Sequence, residues 1–136
     1  MRKEFITIGS LISIGFGIWH FFIPGIWNWY SYIDSLATEL IIAVRAINML
    51  FSILLVLLGL ANIIVVLRVR HDRFTYLVLI SISAILWAVR VLLQIIYPQG
   101  SQNLLLQYFM LSIFIFVLSC YSIGIFFIIK RNENIL

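Results

Sequence analysis

Four long apolar stretches alternate with short polar connections: Phe5 to Pro24, Leu40 to Leu67, Phe74 to Tyr97 and Leu104 to Ile129. Each reaches or exceeds the roughly 20 residues that carry a helix across a bilayer. Connections this short make neighbouring helices antiparallel. The expectation is an all-α fold, a polytopic membrane four-helix bundle with up-down antiparallel topology, in which residues 1–136 form one four-span domain.

Inside the apolar stretches the polar and small residues recur at helical spacing. The second stretch carries Arg45, Asn48, Ser52, Gly59 and Asn62 at offsets 0, 3, 7, 14 and 17. The first carries Ser10, Ser13, Gly17, His20 and Pro24, the third Ser83, Trp87, Arg90 and Gln94, and the fourth Tyr108, Ser112, Ser119 and Ser122. A guanidinium or carboxamide in hydrocarbon costs several kcal/mol unless it is paired. These stripes are therefore expected to face one another, although a membrane serine also satisfies itself on the carbonyl four residues earlier. Pro24 and Gly25 are expected to end the first helix. The aromatic connection that follows, with Trp27, Trp29, Tyr30 and Tyr32, reads as an interfacial belt or a short lid over the bundle. A faint internal repeat is suggested by His20 and Gln94, each four residues before a proline, with Gly25 and Gly100 just beyond.

Composition sharpens the class. Hydrophobic residues make up 64% of the chain and charged ones 10%, against about a quarter in soluble domains. Of nine Lys and Arg, seven lie in three clusters: Arg2 with Lys3, Arg68 with Arg70 and Arg73, and Lys130 with Arg131. A four-span topology brings all three clusters to one face, while Gly25 to Glu39 and Pro98 to Asn103 hold neither Lys nor Arg. The positive-inside rule then places both termini and the His71 and Asp72 loop in the cytoplasm of a plasma-membrane protein. The net charge of +4 is thus assigned to lipid headgroups of the bilayer, not to nucleic acid. The basic start followed by an apolar run resembles a signal peptide, but bulky Ile26, Trp27 and Trp29 stand where a small-residue cleavage site belongs, so a retained helix is expected.

The candidate site follows from axial height. Arg90 lies roughly 24 Å above Phe74 and His20 roughly 22 Å above Phe5, while Arg45 lies roughly 33 Å above Leu67 at 1.5 Å per residue. His20, Arg45, Asn48, Arg90 and Gln94, with Trp87 on the Arg90 face, are expected to converge in the outer half of the bundle. Two guanidinium groups there need a counter-charge, which Asp34, Glu39 or a bound carboxylate, phosphate or lipid head would supply. The competing reading is that both arginines snorkel to the outer headgroups. Metal binding has one intramembrane histidine and no thiol cluster behind it, and Cys120 has no partner for a disulfide. His20 and His71 fall on opposite sides, so two-histidine haem ligation is set aside, and a single axial histidine stays open. No cofactor is assigned. No Ser-His-Asp set, HExxH or Walker sequence is present, and no acid lies in a helix below Glu39, so an enzyme is the weaker reading.

The run Gly17-Ile18-Trp19-His20-Phe21 with Pro24 after it, followed by Leu57-Leu58-Gly59-Leu60, resembles the DoxX-like group of small four-helix bacterial membrane proteins. That resemblance covers the first two helices. It implies the four-helix architecture and an accessory role beside membrane oxidoreductases, and carries over no catalytic residue. Two functions are expected to compete. One is binding of an anionic or amphipathic small molecule, a lipid headgroup or quinone, in an outer-leaflet polar cavity. The other is a non-catalytic accessory or assembly subunit, in which the polar seam holds a homo-oligomer or a membrane-protein partner.

Overall fold

A computed structural model describes residues 2–68, 73–99 and 103–133. Four α-helices occupy almost all of it: α1 at Arg2–Ile26, α2 at Thr38–Leu67, α3 at Arg73–Ile96 and α4 at Leu104–Glu133. All four are long and apolar enough to cross a membrane, which makes this a multi-pass membrane protein. Arg70, His71, Asp72 and Gly100 lie outside the described residues.

The helices are built of apolar residues that keep the backbone ladder, interrupted at Pro24 in α1, and two helix starts have identifiable side-chain bonds. Asn103 caps α4, its Oδ1 accepting the amides of Leu105 at 3.0 Å and Leu106 at 3.4 Å. Asp34 Oδ1 accepts the Leu36 amide at 2.9 Å in the turn that leads into α2. Pro24 does not end α1, contrary to the expectation from sequence, because the helix runs on to Ile26. Between α1 and α2, Asn28 adopts a left-handed conformation (φ 49°) and Trp29–Tyr32 makes one turn of 3₁₀ helix. This segment does cover the end of the bundle. Trp27 packs on Trp19 and Trp29 on His20, with ring centroids 5.9 and 6.4 Å apart.

The packing is unequal around the bundle. α1 lies extensively against α2, and also against α4, which in turn packs on α3, whereas α2 and α3 touch sparingly. Glycines set the close seams. A Cβ at Gly17 would stand 2.9 Å from the Ser52 carbonyl oxygen of α2, and one at Gly59 would stand 2.8 Å from the Ser10 carbonyl oxygen of α1. Gly124 on α4 makes room for Ile6 in the same way. Leu, Ile, Val and Phe cover the outside, as the hydrocarbon solvent requires, and the interior holds Ser10, Ser13, Ser52, Asn62 and Ser83 beside Ile6, Leu55, Ile80, Phe114 and Val117.

The expected polar face of α4 is not the buried one. Tyr108, Ser112, Ser119 and Ser122 all point outward. Ser112 and Ser119 donate to the carbonyls of Tyr108 and Ile115, each at 2.8 Å, so neither requires a neighbour. The face that α4 buries is Met110, Phe114, Val117, Cys120 and Tyr121. The repeat suggested by the prolines does not extend to conformation either, since Pro24 lies inside α1 and Pro98 beyond the end of α3.

Candidate functional site

Two polar layers occupy the interior, and they differ in how far their hydrogen bonds are completed. The layer nearer the chain termini centres on the Tyr121 hydroxyl, 3.1 Å from Ser13 Oγ and 3.3 Å from Ser10 Oγ. Trp87 Nε1 donates to Ser13 Oγ at 2.9 Å, and Asn62 Nδ2 donates to Ser83 Oγ at 2.7 Å. This layer ties all four helices together, and the Asn62–Ser83 bond joins α2 to α3 directly. Asn62 Oδ1 is its one buried acceptor left without a partner among the described residues.

The second layer lies toward the other end of the bundle, and it starts from Pro24. A proline has no amide hydrogen, so the carbonyl four residues earlier loses its helical donor. That carbonyl belongs to His20, and Asn48 Nδ2 of α2 supplies the missing bond at 3.1 Å. The bond also determines which way the Asn48 amide faces, because only its NH₂ can donate to a carbonyl. Asn48 Oδ1 is left unpaired, as are His20 Nδ1 and Arg90 Nε and Nη2. His20, Asn48 and Arg90 are 6%, 8% and 7% exposed, so water on the outer surface does not replace the absent partners.

Arg90 does not snorkel. Its guanidinium carbon sits 4.9 Å from the Phe114 ring centroid, 5.7 Å from Phe51 and 5.8 Å from Phe16, a three-sided aromatic box. Asp34 and Glu39, the acids expected to offset it, are both exposed, and Asp34 is engaged by the Leu36 amide. His20 packs against Phe51 and Phe16 at ring-centroid distances of 4.9 and 5.8 Å.

These three side chains line a cavity of about 580 Å³ between α2 and α3, where the two helices separate. Val44, Ile47 and Phe51 of α2 form one wall, Ile82, Ile85, Leu86, Val89 and Leu93 of α3 the other, and Trp29 and Gln99 stand at its rim. The volume falls within the range of roughly 300 to 1,000 Å³ common for small-molecule sites. Among the described residues no three His, Cys, Asp or Glu side chains come together.

Of the residues singled out from sequence, the structure brings His20, Asn48 and Arg90 to one cavity and leaves the other three outside its lining. Arg45 is exposed, its guanidinium 4.7 Å from the Tyr30 ring centroid, in the segment that joins α1 to α2. Trp87 is fully buried and belongs to the inner layer, wedged against Phe16 and Phe114. Gln94 holds the chain beyond α3, accepting the Gln99 amide at 3.2 Å and donating to the Gln99 carbonyl at 2.8 Å. Phe16, Phe51 and Phe114 escape a search for polar stripes. Helical spacing could have found two of them, since Phe16 is four residues before His20 and Phe51 three after Asn48. Comparison with protein-family models, with curated proteins and with solved structures gives no match.

Proposed function

We propose that this protein binds a small anionic or amphipathic molecule, a lipid headgroup or a quinone, in the cavity between α2 and α3. In the orientation that the basic clusters favour, both termini are in the cytoplasm, the protein sits in the plasma membrane and the cavity opens in the outer leaflet. One observation carries the reading. Arg90 Nε and Nη2, His20 Nδ1 and Asn48 Oδ1 are buried beside an apolar cavity with nothing bonded to them. Removing such groups from water without partners costs several kcal/mol, and a ligand bringing oxygen atoms restores what folding gives up. Within the α2–α3 cavity, Arg90 is the one cationic side chain among the lining residues.

Native mass spectrometry of protein extracted with its own lipids tests this. The wild type is expected to carry a discrete adduct that Arg90→Leu loses and Arg45→Leu keeps, because Arg45 stands outside the cavity. A bare wild type, or adducts indifferent to Arg90, would overturn the reading. The accessory or assembly role implied by the DoxX-like resemblance would then take its place. That second reading has its own support, because Asn48 and Asn62 each spend their amide hydrogens on holding neighbouring helices.

A further inference from the structure

The cavity has a direction. α2 and α3 are antiparallel, so Val44 and Leu93 stand nearest the outer end on their helices, with Trp29 and Gln99, while Ile82, next to the Ser83 that bonds Asn62, stands deepest. Arg90, His20 and Asn48 belong to the outer part. From Arg90 down to Ile82 the α3 wall is Val89, Leu86 and Ile85, about 12 Å of apolar surface at 1.5 Å per residue. Polar groups above and an apolar wall below match the way a lipid of that leaflet stands in its bilayer. The gap between α2 and α3 also faces sideways, toward hydrocarbon, since Ile47, Ile85 and Val89 line the cavity and are half or more exposed on the membrane side.

The hydrogen-bond inventory narrows the head. Arg90 Nε and Nη2 lie on one edge of the guanidinium plane, the edge that grips two oxygens of one phosphate or carboxylate. Both atoms are buried, and Phe51 is the one of the three surrounding rings that also lines the cavity, so Phe51 is the side chain that must turn for a head to reach them. Asn48 Oδ1 is a carbonyl oxygen and can only accept, and the bond from its NH₂ to the His20 carbonyl fixes which way the amide faces. A quinone offers only acceptors and leaves this oxygen unpaired. A hydroxyl placed beside an oxyanion serves Asn48 and Arg90 together. The cavity holds on the order of twenty non-hydrogen atoms if each takes about the 30 Å³ of a water. One chain and part of a head fit; a second chain stays in the bilayer.

Building on the proposed function, we infer that the ligand is an anionic lipid whose head bears a free hydroxyl beside its phosphate, entering sideways between α2 and α3 with one acyl chain along the Ile82–Val89 wall. The test compares lipids added to delipidated, detergent-solubilised protein by native mass spectrometry. Phosphatidylglycerol has a phosphodiester and free hydroxyls; phosphatidylethanol has the same charge and chains without them. Glycerol 1-phosphate supplies the head alone, and decylubiquinone supplies a quinone.

Phosphatidylglycerol is expected to be retained about tenfold better than phosphatidylethanol by the wild type, and glycerol 1-phosphate not at all. Val89→Trp, a change on the membrane side that fills the entrance, is expected to abolish that retention, as is Arg90→Gln. Equal retention of the two phospholipids, both dependent on Arg90, would overturn the hydroxyl and leave the binding function standing. Retention of decylubiquinone in preference to both lipids would do the same. Glycerol 1-phosphate bound as well as phosphatidylglycerol would overturn the lipid source in favour of a free phosphate ester. If no probe is retained, or retention ignores both variants, the inference and the binding function fall together. The wild-type comparison needs no variant to fold, and circular dichroism checks the helix content of the two variants.

Discussion

Pro24 and Asn48 together explain how a helix break becomes a helix contact. The proline frees the His20 carbonyl, and the asparagine of the next helix takes it. If that is the reason for the contact, the two residues must be energetically coupled. Asn48→Ala alone is expected to lower stability by about 1 to 2 kcal/mol, since it strands a buried carbonyl. In a Pro24→Ala background the same change is expected to cost much less, because the alanine amide again donates to the His20 carbonyl within α1. Reversible unfolding of the four proteins in detergent measures the cycle, and strictly additive losses would refute the coupling. Arg90 and Arg45 make a parallel contrast at this scale. Both are arginines on an apolar helix, and the sequence separated them by height, with Arg45 nearer the outer interface. What separates them in the structure is the ring set each meets: around Arg90 the buried Phe16 and Phe114 with the half-buried Phe51, and beside Arg45 the ring of Tyr30.

Among the elements, α1 and α2 were the most legible. Asn48, Ser52, Gly59 and Asn62 of the α2 stripe are all buried, as their spacing required. Gly17 and Gly59 prove to be mutual notches: the Cβ that each lacks would strike the backbone of the other helix. Gly17→Ala and Gly59→Ala are each expected to destabilise the bundle by about 1 to 3 kcal/mol. Gly15→Ala, with nothing within 4 Å of the added atom, is expected to be neutral or slightly stabilising. Thermal unfolding in a single detergent distinguishes them. α4 was legible as a span but not in its rotation. It is apolar all round, and its serines bond within their own helix, so hydroxyls on the lipid face look the same in sequence as hydroxyls in a core. Tyr121, which joins Ser10 and Ser13, was one aromatic among many. Tyr121→Phe is expected to cost about 0.6 to 1.5 kcal/mol, the usual worth of such a bond. Ser112→Leu and Ser119→Leu are expected to stay within about 0.5 kcal/mol of wild type in the same assay.

At the scale of the whole molecule, hydropathy alone located four spans, and the helix ends fall within four residues of those estimates, α1 running past both of its ends and α3 stopping one residue short of Tyr97. The charge pattern carries the orientation, through basic residues at one pair of bundle ends. The proposed orientation is checked in a Cys120→Ser background by placing single cysteines at the exposed positions Ser35 and Lys3. Ser35→Cys is expected to react with a membrane-impermeant maleimide on intact cells, and Lys3→Cys only after permeabilisation; the reverse would invert the protein. An outer cavity with His20, Asn48 and Arg90 was expected from their heights, but its place between α2 and α3 was not legible, because it comes from a seam that fails to form. Residue spacing reports which faces are polar, but not that α2 and α3 diverge while their neighbours close.

The seam between α2 and α3 is not open along its whole length. Asn62 of α2 still holds Ser83 of α3 at 2.7 Å, and Ser83 is next to Ile82, which lines the cleft. Closure and opening thus fall on one pair of helices, so the bond that joins α2 to α3 also marks the floor of the cleft.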